Sequence, residues 1–104
     1  MACHAAERDA RLAAPVAAHK ADVHGQRGIT CVECHGGDAA AADKGKAMSA
    51  AAGFKGTLAG QVQVQACARC HGDAAYMRRF SPKQRVDQAV EYAASAHGRR
   101  LAEG

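Results

Sequence analysis

The chain has 104 residues and a formal charge of +4, room for one domain at most, and its 14 Lys and Arg lie dispersed among 10 acids without the basic block or stacking aromatics of a nucleic-acid binder. Hydrophobic residues make up 48%, but 27 of them are alanine; Leu, Ile, Val and Phe number only 13, well under the roughly one-fifth share that a self-sufficient core needs. No apolar run approaches the roughly 18 residues of a membrane-spanning helix, so either the polypeptide is largely unfolded or something other than polypeptide fills its interior.

Read from the start, residues 1–9 show no basic n-region and no apolar h-region, hence no visible signal peptide. Cys3-His4 is followed by a weak helix signal over Glu7 to Ala14, then by His19 and His24-Gly25, and then by Cys31-Val32-Glu33-Cys34-His35-Gly36-Gly37. The stretch from Ala39 to Gly60, rich in Ala, Gly and Lys, reads as a connector with a weak helix signal over Asp43 to Ala52. Gln61-Val62-Gln63-Val64-Gln65 alternates like a strand, but it is isolated and reads as an extended lead. It runs into Cys67-Ala68-Arg69-Cys70-His71-Gly72, then a helical turn around Asp73 to Arg79. Ser81-Pro82 opens the clearest helix, a capping residue with proline in the first turn. Val86, Ala89, Val90 and Ala93 fall on one face, and His97, four residues after Ala93, stands near its end at Gly98. The expected fold class is mainly α with extensive loop and little or no sheet.

The two Cys-x-x-Cys-His runs carry the chemistry. This is the attachment sequence of c-type haem: two thiols three positions apart reach the vinyl groups on one porphyrin edge, and the adjacent imidazole falls under the iron as proximal ligand. Cys31, Cys34 and His35 form one such set, and Cys67, Cys70 and His71 the second. Cys3 and His4 are the second half of a third, whose missing cysteine would stand immediately before Met1, so the reading expects the polypeptide to begin upstream. The competing reading of Cys3 is a thiol beside a chance histidine. A zinc site is the alternative for the paired motifs, but 32 residues lie between Cys34 and Cys67, against about 15–20 in the common ribbon spacing. A thioredoxin-like pair would want a βαβ context, and a plain disulfide framework explains neither histidine.

Six histidines then divide into three motif ligands (His4, His35, His71) and three others (His19, His24, His97), one for each iron. Met48 or Met77 could replace a histidine as sixth ligand, since Met/His ligation occurs in cytochromes c; a helix methionine otherwise serves as packing. Glycine follows His24, His35, His71 and His97, and lets backbone approach a flat ligand closely, unless these glycines only end helices and make turns. The motifs recur 36 residues apart, dense enough that haems would cover one another.

Taken with His24-Gly25-Gln26-Arg27-Gly28-Ile29-Thr30 before the first complete motif and Glu91-Tyr92-Ala93-Ala94-Ser95-Ala96-His97-Gly98 near the end, nearly the whole chain resembles bacterial multihaem c-type cytochromes. The resemblance implies export and haem attachment on the periplasmic side, sixth ligation by His24 and His97, and a piece of a longer cytochrome. The departure is the absent first cysteine. The expectation is a single domain, 1–104, with haem units at about 1–30, 31–66 and 67–104, carrying two to three haem c groups and their iron. It would transfer electrons to redox protein partners or neighbouring haem subunits, with no nucleic acid and no transmembrane segment. The alternatives are a haem-containing reductase fragment with one open iron, and a non-haem metal-binding module.

Overall fold

The computed structural model describes residues 2–104, with Ala2 described by its backbone alone; the expected cysteine upstream of Met1 lies outside them. The described residues are mainly helical with no strand, and no helix among them is long and apolar enough to cross a membrane. The chain divides into two compact units, one ending at Gly56 and the other running Thr57–Gly104.

In the first unit, α1 (Ala2–Ala5) packs on α2 (Ala10–Ala21), and α2 on α3 (Val23–Gln26). Asp9 caps α2 through its carboxylate, which accepts from Arg11 N at 2.9 Å, the ordinary way to satisfy an orphan donor at a helix start. The helix therefore begins three residues later than the sequence predicts and continues seven residues further. Val16 is its buried residue. α4 (Cys31–His35) and α5 (Lys44–Ala47) complete the unit. Asp43 caps α5, its carboxylate accepting from Lys46 N, and the helix spans only part of the predicted 43–52 segment. A Lys44–Glu7 ion pair at 2.8 Å joins α5 to the loop after α1 and holds the Glu7 carboxyl below its ordinary range.

In the second unit, α6 (Gly60–His71) packs on α7 (Ala74–Met77), α8 (Gln88–Ala94) and α9 (Ala96–Glu103). Ala66 of α6 and Gly98 of α9 are buried. Tyr76 and Phe80 meet in a tilted pair with centroids 5.4 Å apart, with the Arg79 guanidinium over both rings.

Two expectations are corrected here. Gln61 to Gln65 is helix, not an extended lead. Five alternating residues are too few to fix a period, and glutamine and alanine favour the helix that the following motif continues. The helix predicted from Ser81 up to Gly98 starts later and is broken once: Ser81 and Pro82 form a turn, closed by Gln84 N donating to the Ser81 carbonyl at 3.1 Å. α8 starts at Gln88, where Arg85 reaches across the helix start to both Asp87 and Glu91. It ends at Ser95, because the Ser95 hydroxyl competes for backbone groups, donating to the Tyr92 carbonyl and accepting from Gly98 N. His97 therefore lies in the first turn of a new helix rather than at the end of a long one. Val90 and Ala93 are correspondingly exposed, and of the four residues predicted to share one face only Val86 and Ala89 are half-buried.

Across the described residues Val16 and Ala66 are the buried hydrophobic side chains, as the shortage of large aliphatics implies.

Candidate functional site

Both complete Cys-x-x-Cys-His runs are helical. Residues i, i+3 and i+4 share one face of a helix, so Cys31, Cys34 and His35 lie on one side of α4, and Cys67, Cys70 and His71 on one side of the last turns of α6. α4 is only five residues long and is held at its start by Glu33, whose carboxylate accepts from the backbone N–H and the hydroxyl of Thr30, one arm of a capping box. Cys31, Cys34 and His35 are half-buried. Cys3 is exposed and His4 half-buried, on α1.

The segment after α4 folds back on it. Gly37 N donates to the Ala52 carbonyl, Asp38 N to Ala47 and Lys55 N to His35, all within 3.0 Å. Gly36 has φ +69°, and a Cβ there would meet the Gly53 carbonyl oxygen at 2.0 Å. This glycine thus admits the chain's own backbone. The stretch beginning at Ala39 belongs with the motif that it follows, and it ends at Gly56, whose carbonyl is 2.8 Å from His35 Nδ1. A carbonyl can only accept, so Nδ1 carries the proton and Nε2 the lone pair, the tautomer of an imidazole that ligates through Nε2.

In the second unit, α6 presents Gly60, Gln63, Val64, Cys67, Ala68 and His71 to a cleft of about 670 Å³. Gln84, Gln88 and Ala89, Tyr92 of α8, and Leu101 of α9 close it. The volume falls within the roughly 300–1,000 Å³ of cofactor and ligand sites. No Asp, Glu, Lys or Arg lines it. Gln88 Oε1 is buried in this wall without a hydrogen-bond partner, a state that costs about 1–3 kcal/mol and is relieved by an occupant with a polar group. Cys67 and His71 both line these walls, whereas Cys70 does not. His97 and Met77 are not among the lining residues.

The remaining histidines sort by what their rings do. His19 Nε2 lies 2.9 Å from the Ile29 carbonyl, so Nε2 carries its proton and the ring links α2 to the approach of α4. His24 is on α3, with Nδ1 3.1–3.2 Å from the Asp22 carboxylate; this bond holds the Asp22 carboxyl below its ordinary range. His97 is exposed at the start of α9, and its ring makes no hydrogen bond within the described residues. Met48, exposed, caps the end of α5, and Met77 is the last residue of α7.

His24 and His97 stand on the same local structure. Each follows a one-residue joint between two helices, at Asp22 (φ −75°, ψ 149°) and at Ser95 (φ −71°, ψ 162°). Each joint N–H donates to the carbonyls three and four residues back, and each joint side chain accepts from the next helix. The histidine comes two residues after the joint and glycine three. A Cβ on that glycine would meet the carbonyl oxygen three residues before the joint, at 2.0 Å from His19 for Gly25 and 1.9 Å from Tyr92 for Gly98. Both glycines thus approach the chain's own backbone closely, and sequence reasoning left open whether they do so or approach a ligand. It also passed over the joints, whose signal is a capping residue two positions before each His-Gly, and over the cleft wall, whose helical stripe is hidden because glutamine, glycine and histidine fill it.

Among the described residues no three His, Cys, Asp or Glu side chains converge on a common cation position. Comparison with family models, curated proteins and solved structures returns no match to this chain.

Proposed function

We propose that this chain is an electron-transfer protein that holds two to three covalently attached c-type haems. The observation that carries the reading is the helical placement of two thiols and one imidazole on a single face, twice, with Cys67 and His71 of the second set lining an uncharged cleft. Bound haem supplies a one-electron Fe(III)/Fe(II) couple. The chain's own residues do the rest. Each cysteine adds its S–H across a vinyl group to form a thioether, with no leaving group. His35 and His71 would hold the iron as proximal ligands, His35 through the Nε2 left by its Nδ1 contact with the Gly56 carbonyl. His24 and His97, at matching helix joints, would be the sixth ligands of two of the irons. His19 is the third, available once its Nε2 leaves the Ile29 carbonyl. Cys3 and His4 hold the first haem if a cysteine precedes Met1. The partners are other redox proteins or haem subunits in the periplasm.

Expression with haem-maturation machinery followed by intact-mass measurement tests this. The expected result is an increase of at least two haems; fewer sinks the reading. One observation favours a second reading, an open iron for small-substrate reduction: no second histidine or methionine lines the cleft beside His71. Carbon monoxide binding by the reduced protein would select that reading, and its absence selects bis-histidine ligation.

A further inference from the structure

The formal charge of the chain is unevenly placed. Arg78, Arg79, Lys83 and Arg85 stand within residues 78–85 with no acid among them, while over the rest of the chain Lys and Arg equal Asp and Glu in number. The whole +4 therefore resides on this one run, between α7 and α8, where all four cations are exposed. Arg78, Lys83 and Arg85 line a recess of about 380 Å³ together with Pro82, Val86 and Asp87. Arg85 is engaged by Asp87 and Glu91, whereas Arg78 and Lys83 make no ion pair among the described residues.

We propose that this run is a docking face for an acidic patch on a partner protein, with Arg78 and Lys83 as the residues that meet its carboxylates. Like charges gathered on one short turn repel each other, and an opposite charge laid over them relieves that repulsion while steering the encounter and fixing its register. The same recess offers Pro82 and Val86, so a partner seated there covers apolar surface inside a charged rim, the anatomy of a protein interface. A nucleic acid fits less well. The Arg79 guanidinium lies over the Tyr76 and Phe80 rings, 5.0 and 5.8 Å from their centroids, which closes those faces to stacking bases, and the Asp87 carboxylate in the recess repels phosphate. Gln84 lines both this recess and the cleft that Cys67 and His71 line, so a docked partner lies against the cleft wall. The docking face stands on charge alone; that an electron crosses the wall to the partner rests on the proposed function.

The test is fluorescence anisotropy of a labelled oligoglutamate peptide titrated with the purified full chain at low ionic strength, after its haem count has been read by mass. The wild-type chain should bind, more weakly as salt shortens the Debye length to about 8 Å at physiological ionic strength. Arg78→Glu with Lys83→Glu should weaken binding about tenfold or more, and Arg78→Gln with Lys83→Gln by an intermediate amount, with helical circular dichroism unchanged in both. Arg8→Glu with Lys20→Glu makes the same change in net charge at exposed positions of the first unit and should leave the affinity within about threefold of wild type. Equal losses in the two Glu pairs would show that net charge alone attracts the peptide and would overturn the docking face. So would the absence of peptide binding, or tighter binding of a single-stranded oligonucleotide than of the peptide. A chain that carries no covalent haem yet binds the peptide through Arg78 and Lys83 removes the proposed function and leaves this face standing.

Discussion

The carbonyl oxygen of Tyr92 occupies the space that a side chain on residue 98 would need: a Cβ built on Gly98 lies 1.9 Å from it. Gly98→Ala therefore forces α8 and α9 apart at Ser95 and should cost about 1–3 kcal/mol, the usual penalty for overpacking. Denaturant unfolding of the loaded protein measures it. Gly25→Ala, with its Cβ 2.0 Å from the His19 carbonyl, should cost a similar amount.

Cysteine substitutions should act motif by motif. Cys67→Ser with Cys70→Ser removes both tethers of the second set and should lower the mass by one haem, leaving attachment at Cys31 and Cys34 intact. Intact-mass spectrometry reads the count directly; loss of every haem would show instead that the sets are not independent.

The haem-free chain should melt without a cooperative transition. Among the described residues Val16 and Ala66 are the buried hydrophobic side chains, too small a core to offset the roughly 1–2 kcal/mol of backbone entropy lost per ordered residue. Calorimetry of the chain produced without maturation machinery checks this; a sharp endotherm would contradict it.

The acid limit of the helix that begins at Gln88 should depend on Arg85. Hydrogen bonding to Arg85 holds the Asp87 carboxyl below its ordinary value. A carboxyl depressed in the folded state contributes stability that is fully present above its unfolded value, about 3.9, and is lost as the pH falls through the lowered folded value. Arg85→Gln should therefore move acid loss of helical circular dichroism to higher pH, by a small amount because the pair is exposed.

Much of this was legible in the sequence for definite physical reasons. The helical class followed from capping and spacing signals such as Ser81-Pro82 with Val86, Ala89, Val90 and Ala93, and the motif sets from the repeated Cys-x-x-Cys-His spacing itself. Helix boundaries were less legible. Ser81-Pro82 looks like a helix start, but Arg85 bridging Asp87 and Glu91 depends on a geometry no local pattern displays. The helical period of Gly60 to His71 was masked because its inward stripe is not apolar. The role of residues 39–56 in clamping His35 was invisible, since it rests on backbone hydrogen bonds to His35, Gly37 and Asp38 and carries no side-chain signature.

The one-residue joints at Asp22 and Ser95 also map where the chain can change length. An inserted or deleted residue between joint and histidine would turn the ring about 100° around its helix, swing it off its present bearing, and move the glycine away from the one spot where only hydrogen fits. The turn at Pro82-Lys83 carries no such register. Length variation is thus tolerable there and forbidden over Asp22 to Gly25 and Ser95 to Gly98, so a library of single-residue insertions scored for haem content would trace these two four-residue segments as its gaps.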